Sequence, residues 1–353
     1  RQAGPARGGR LMAAFVGTAN PGYAAAAMEE VRRADPGVRQ RGLSPDGDVF
    51  LIEVPDAPDG ETAWMKKIRE RKPVFLRHLF PVHAETVLSE SEEAAVRAIA
   101  GFAASVSDRS AGRKVAVQFR KAPDSPLSLP AARKAASETL AAAGAEIVPR
   151  EADWILSGFA SKTALYLGVS RPEDNLSDWP GGAMRFRREE GLISRSAFKL
   201  LEAERTFRLP LDRTVHALDL GAAPGGWTSV LLERGARVTA VDPADLHPSL
   251  AGHPRLRHIR RNAAEVSFPP GSFDLLLCDI SRDPLRTCRI VCGHADALSA
   301  GAPAVVTVKL TDRRPFGLIA KVTEAYGTRF DIRHVKQLFH NRDEVTLVMG
   351  KKA

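Results

Sequence analysis

Residues 218–228 read Leu-Asp-Leu-Gly-Ala-Ala-Pro-Gly-Gly-Trp-Thr. An apolar strand runs into a loop with glycine at 221, 225 and 226, and a helix over residues 227–234 follows. Glycine lets the backbone pass close beneath a ligand. The spacing is not the G-x-G-x-x-G dinucleotide fingerprint, because Pro224 sits inside the loop and no glycine pair brackets a single residue. What remains is a backbone-lined pocket for a nucleoside-like ligand, without clear provision for a pyrophosphate. The next strand, residues 238–241, ends at Asp242. A carboxylate about 20 residues beyond such a loop can accept hydrogen bonds from both hydroxyls of a ribose. Asp219 or Asp242 alone would equally suit loop capping; their spacing together, strand by strand, favours the ligand.

The charge balance points to a polyanionic partner. The chain carries 51 Lys/Arg against 42 Asp/Glu, a net +9. Residues 191–353 hold 24 and 17 of these, so most of the excess lies in the C-terminal part. At 44% hydrophobic and 26% charged, the composition excludes a disordered, collagen-like or disulfide-stapled chain. The three cysteines, Cys278, Cys288 and Cys292, are confined to one region. That argues for a reducing cytoplasm, and no second Cys/His pair completes a zinc set. No apolar run approaches a membrane span. The chain opens on Arg1, and the apolar run 11–16 is too short for a signal-peptide core, so it reads as a strand and turn.

The loop D-L-G-A-A-P-G-G-W-T resembles motif I of the FtsJ (RrmJ)-like ribose 2'-O-methyltransferases. Residues 194–200 (SRSAFKL), 277–279 (LCD), 308–310 (VKL) and 337–346 (QLFHNRDEVT) match in the same order, most closely to the RlmM branch that acts on large-subunit rRNA. The resemblance implies S-adenosylmethionine as methyl donor, S-adenosylhomocysteine as product, and no metal. It implies cofactor contacts from Ser194, Asp219, Gly221, Ala223, Pro224, Gly225, Gly226, Trp227, Asp242, Asn262 and Asp279. Asn262 stands where the family usually has an acidic residue near the adenine, and Ala223 replaces a cysteine of motif I.

The family's Lys-Asp-Lys-Glu tetrad falls on Lys199, Asp279, Lys309 and Glu344. The chemistry explains these residue types. A ribose 2'-hydroxyl is a poor nucleophile until its proton leaves, and a lysine takes that proton only as the neutral amine. Burial and a neighbouring cation both disfavour the ammonium form. The expected assignment is Lys309 as general base with Asp279 orienting it, while Lys199 and Glu344 position the ribose. Transfer is then a direct in-line displacement at the sulfonium methyl.

Arg195, Arg313, Arg314, Lys336, His340 and Arg342 flank this region as candidate phosphate contacts. Arg313 and Arg314 are the leading pair; Lys114, Arg120 and Lys121 are weaker candidates. Aromatic residues make up only 6% of the chain, so extensive base stacking is not expected. The expected substrate is a cytidine of 23S rRNA or a large-subunit precursor. The alternatives are a tRNA 2'-O-methyltransferase and a non-catalytic RNA-binding assembly factor. The intact tetrad argues against the last. No N-P-P-Y motif for amine methylation occurs, and Cys278 follows Leu277 rather than a proline.

Three units should position these groups. Residues 1–82 read as a ferredoxin-like α+β unit, with strands at 11–16, 49–54 and 74–80, helices at 23–34 and 63–71, and one unrecognised strand near 38–43. Residues 83–185 read as a THUMP-like RNA-binding unit, with helices from 91 and at 129–143 and strands at 114–120, 146–148, 154–159 and 163–168. Residues 186–353 alternate strand and helix. This predicts a Rossmann-like class I methyltransferase domain, mostly parallel, closed by an antiparallel hairpin, with its ligand at the strands' C-terminal ends.

Overall fold

The computed structural model describes residues 13–55, 57, 59–88, 91–186, 193–311 and 315–353. The chain divides into two units, residues 1–183 and 184–353.

The first unit holds two sheets. Its elements begin β1 (Ala13–Thr18), α1 (Ala24–Ala34), β2 (Arg39–Gly42), β3 (Val49–Val54), α2 (Gly60–Glu70) and β4 (His78–Pro81). The strands form an antiparallel sheet in the order β2-β3-β1-β4. The strand expected near 38–43 is β2. The strand expected over 74–80 is shorter, for a local reason. The Glu30 carboxylate accepts the backbone N–H groups of Val74 (2.6 Å), Phe75 (2.9 Å) and Leu76 (3.0 Å), which removes those donors from any ladder.

There follow β5 (Ala84–Val87), α3 (Glu92–Ser105), α4 (Ser107–Ser110), β6 (Lys114–Lys121), α5 (Leu129–Ala142), β7 (Glu146–Ile147), β8 (Trp154–Ala160) and β9 (Ala164–Ser170). These strands make the sheet β5-β9-β8-β6-β7. Sequence reading missed β5, an edge strand of four residues whose alternation is too brief to stand out. Ser91 and Ser128 cap α3 and α5 by accepting from Ala94 and Ala131. The two sheets share apolar packing: Val16, Leu51 and Phe80 from one meet Phe159 and Tyr166 from the other.

The second unit is a doubly wound sheet. It comprises α6 (Ser196–Phe207), β10 (His216–Leu220), α7 (Gly226–Glu233), β11 (Arg237–Val241), β12 (Leu256–Ile259), β13 (Leu275–Cys278), α8 (Pro284–Gly293), β14 (Pro303–Lys309), α9 (Pro315–Tyr326), β15 (Phe330–Lys336) and β16 (Glu344–Lys351). The order is β12-β11-β10-β13-β14-β16-β15. The first five are parallel, and β16 runs antiparallel to both β14 and β15, as the short final connection predicts. Strands buried on both faces read as continuous apolar runs, such as Leu275–Cys278. The strand order reverses between β10 and β13, which opens a crevice beyond their C-terminal ends.

The Glu30 clamp is testable. Glu30→Ala leaves backbone donors at two buried residues, Phe75 and Leu76, without this acceptor. The expected loss of stability is about 2–4 kcal/mol. Urea unfolding of the variant measures it, and a midpoint equal to wild type refutes the clamp's importance.

Candidate active site

Beyond the C-terminal ends of β10, β11 and β13 lies a cavity of about 280 Å³. Five of the expected cofactor contacts, Gly221, Ala223, Asp242, Asn262 and Asp279, line it. Gly221 has φ 73°, and a Cβ there would stand 2.4 Å from Ile280 Cγ1, so only glycine fits both the backbone and the space. The Asp242 carboxylate accepts from the backbone of Ala223 (3.1 Å) and Ala244 (2.8 Å). These bonds fix its two oxygens beside the loop. The Asn262 carbonyl oxygen accepts from Ala264 (3.1 Å), which holds that side chain at the cavity wall.

The remaining expected cofactor contacts do not line this cavity; most of them brace it. Asp219 is fully buried and accepts from Thr228 Oγ1 at 2.6 Å, tying β10 to α7 across the loop. Burial pushes its carboxyl up to about 7. The Thr228 hydroxyl opposes this, and the charges of Asp279 and Asp242 add to it. Trp227 donates its indole N–H to the Ser196 carbonyl (2.7 Å), which fastens α7 to the start of α6. Gly226 leaves room for that approach, since a Cβ would lie 2.3 Å from Ser194 Oγ and 2.5 Å from Ser196 Oγ. Pro224 and Gly225 complete the turn into α7. Sequence reading missed Pro243, Ile280, Ser281, Arg282 and Ile290, which also line the cavity. They lack a motif, and only the register of β13 places residues 280–282 opposite Gly221.

The four tetrad positions come from four elements that end at this crevice. Lys199 lies one turn into α6. Its ammonium reaches Asp279 Oδ1 (3.2 Å) and Oδ2 (3.3 Å), just beyond β13, and Glu344 Oε1 (3.5 Å), the first residue of β16. All three side chains are largely buried, between 12% and 17% exposed. Lys309, the last residue of β14, is paired with Glu344 in the antiparallel ladder. Burial raises the Asp279 carboxyl above its ordinary value, and the Lys199 charge and the Thr307 hydroxyl pull it back.

One expected partnership is corrected. Asp279 does not orient Lys309; it holds Lys199 and accepts from Thr307 Oγ1 at 2.5 Å. Among the described residues Lys309 has no carboxylate within 4.0 Å. The reason is geometric: α6 delivers Lys199 between the two acids. Thr307 was missed, although its place two residues before Lys309 puts both on one face of β14.

A second cleft, of about 670 Å³, adjoins this cluster. Lys199 and Glu344 line it, together with Phe186, Phe198, Phe339, His340, Arg195 and Arg342. The connection between β15 and β16 is tightly fastened. Buried Glu202 of α6 accepts from the backbone of Phe339 and His340, both at 2.8 Å. Asn341 accepts from Leu338 (2.8 Å) and from Thr346 Oγ1 (3.0 Å). Arg342 gives its backbone N–H to Glu344 Oε2 (2.8 Å).

Of the expected phosphate contacts, Arg195 and Arg342 are exposed at this cleft. Arg313 and Arg314 lie outside the described residues. Lys336 is half-buried at the end of β15. His340 is not a cation at neutral pH: burial lowers its pKa, and Nε2 donates to the Met184 carbonyl at 2.9 Å. Arg120 reaches Thr18 Oγ1 (2.9 Å) and Asp48 (3.4 Å). Burial pushes the Cys278 thiol up to about 12, which leaves it protonated. Among the described residues no group of three or more His, Cys, Asp or Glu side chains could hold a metal, and no helix is long and apolar enough to cross a membrane.

Sheet order, glycine loop and the carboxylate after β11 together define a Rossmann-like domain. The FtsJ-like methyltransferase family model matches residues 192–313. The chain is similar to the ribosomal RNA large subunit methyltransferase M of Laribacter hongkongensis, 36% identical over 210 residues, covering 55% of this chain and 58% of that protein. It is 37% identical over 178 residues to the protein of that name from Halorhodospira halophila, covering 50% and 52%. The chain thus spans about half the length of the curated relatives it matches. The solved structure of TrmN from Thermus thermophilus aligns with 97% of this chain and 100% of its own at 19% identity and a TM-score of 0.40.

The Asp219 shift carries a pH prediction. Its folded-state pKa of about 7 exceeds the ordinary 3.8, so the folded chain binds more protons in between. Stability therefore falls as pH rises from about 4 to 7 and levels off above. Asp219→Asn removes that loss. The melting temperature of the variant relative to wild type should rise by roughly 5 °C between pH 4 and pH 8. A difference that stays constant with pH contradicts the buried-acid account.

Proposed function

We propose that this chain is an S-adenosylmethionine-dependent RNA ribose 2'-O-methyltransferase, acting on a cytidine of 23S rRNA or its precursor. The observation that carries this reading is the Asp279–Lys199 ion pair. Asp279 lines the glycine-loop cavity, while Lys199 lines the adjoining cleft, so one salt bridge joins a donor pocket to an acceptor pocket. The names and the family of the similar proteins supply the substrate class.

The donor pocket suits a nucleoside. Gly221 lines it without a side chain, and the Asp242 carboxylate, already fixed by two N–H groups, has lone pairs left for ribose hydroxyls. Bound there, the cofactor supplies an electrophilic sulfonium methyl. Asn262 would meet the adenine, and Asp279 would border the methyl-bearing end.

Lys199 and Lys309 then divide the work. Lys199 is positioned by two carboxylates and donates a hydrogen bond to the target ribose. Lys309 is the amine not engaged by a carboxylate, and it takes the 2'-hydroxyl proton at Nζ. Glu344, beside Lys309 in the ladder and bonded to Lys199, keeps the two amines in register. Arg195 and Arg342 hold phosphates of the same strand. Orientation and proton removal account for the catalysis, so no metal enters.

In this reading the first unit contributes RNA binding. Residues 1–82 form a ferredoxin-like module, supported by the strand order β2-β3-β1-β4 with two helices. Residues 83–185 form a THUMP-like module, supported by the sheet built on β6, β8 and β9. Residues 186–353 are the methyltransferase domain, and the reaction is cytoplasmic.

Lys309→Ala should abolish transfer of labelled methyl to rRNA and leave S-adenosylhomocysteine affinity within about twofold; full activity discards the base assignment. Asp242→Ala should weaken S-adenosylhomocysteine binding about 10–100-fold in calorimetry, the scale of lost charge-assisted hydrogen bonds. An unaltered Kd removes Asp242 from the pocket.

A further inference from the structure

We propose that the cleft beside Lys199 and Glu344 is a stacking pocket for the base of the target nucleotide, so the substrate is an unpaired residue turned out of its RNA stack. The inference rests on the functional reading above and adds a recognition site to it.

Four rings converge on this cleft. Phe186 and Phe198 lie 5.6 Å apart between centroids and 6° from parallel. His340 stands 5.1 Å from Phe198 and 5.6 Å from Phe186, and Phe339 stands 5.0 Å from His340. All four are half-buried, unlike the phenylalanines of the cores such as Phe15 or Phe330, which are wholly buried. In a chain with 6% aromatic residues, this concentration at the edge of a charged site is not explained by core packing. The Arg205 guanidinium covers Phe186 at 4.9 Å.

The surroundings specify the ligand. The cleft's 670 Å³ falls within the roughly 300–1,000 Å³ of pockets that bury small ligands. One end carries the Lys199–Glu344 pair, where a ribose must lie to be methylated. Exposed Arg195 and Arg342 line the same cleft and suit the flanking phosphates. Between a ribose and its phosphates the group left to place is the base, and flat apolar rings are what a base stacks on. The neutral His340 ring adds a stacking surface without a charge. Extracting a base has an unstacking cost that such a platform offsets.

The test uses the full chain and an in vitro transcript of large-subunit rRNA. Phe198→Leu and Phe339→Leu keep apolar volume but remove the ring. Each should raise KM for the transcript roughly tenfold, the scale of one lost base–aromatic stack. kcat should fall less, and the S-adenosylhomocysteine Kd should stay at the wild-type value, which also certifies folding. Phe198→Tyr and Phe339→Tyr should restore KM. Wild-type KM in both leucine variants, with an active wild-type enzyme, overturns the pocket and leaves the functional reading intact. A wild-type enzyme that transfers no methyl to RNA overturns the functional reading itself.

Discussion

A lysine ammonium held between two buried carboxylates is the constraint on which this site depends. Lys199, Asp279 and Glu344 come from α6, from the end of β13 and from the start of β16, positions separated by 80 and 145 residues. Removing such groups from water is costly unless each is paired. Here the pairing is reciprocal: one cation faces two anions, with Thr307 and the Arg342 backbone satisfying further lone pairs. Losing the lysine would leave two anions uncompensated in a largely dry place. The cluster therefore fixes the docking of α6 on the sheet as well as the chemistry.

The braces around the site serve that docking. Trp227 ties α7 to α6, and Glu202 of α6 ties down the β15–β16 connection. Each brace is a buried polar group meeting backbone donors or acceptors that secondary structure leaves unpaired. Lys199, Phe198 and Glu202 all sit on α6, within about one helical turn of each other. A single rigid helix thus presents the ammonium, an aromatic wall and the clamp that holds the opposing loop. Precision here comes from placing several functions on one element rather than from many separate loops.

The sequence displayed the parts of this site that local patterns encode. The glycine loop, the carboxylate after β11 and the alternation of strand and helix are local, and they were readable. The segments that hold residues 199, 279, 309 and 344 were readable. Their pairing was not. Nothing in the spacing of residues 199, 279, 309 and 344 says which amine the acids will hold, since that depends on how far α6 reaches over the sheet edge. The aromatic cleft was hidden for the same reason. Phe186, Phe198 and Phe339 are isolated in sequence, and a 6% average conceals a cluster that only the fold assembles. Asp219 bonds to Thr228 and does not line the cavity, a placement its strand position did not reveal.

In the proposed reaction, the asymmetry between the two lysines gives the site its direction. A pair of equivalent amines would have no reason to assign acid and base roles. Asp279 and Glu344 both accept from Lys199, so that amine is committed as a hydrogen-bond donor. Lys309 sits beside Glu344 in the ladder yet is engaged by no carboxylate among the described residues. In the proposed reaction Lys309 is therefore the amine left to receive the hydroxyl proton. The same proposal puts Lys199 next to the oxygen as negative charge develops there, where a preorganised donor in a poorly hydrated site is most effective. On that proposal, proton acceptance and charge stabilisation both follow from a single choice of ion-pair partners.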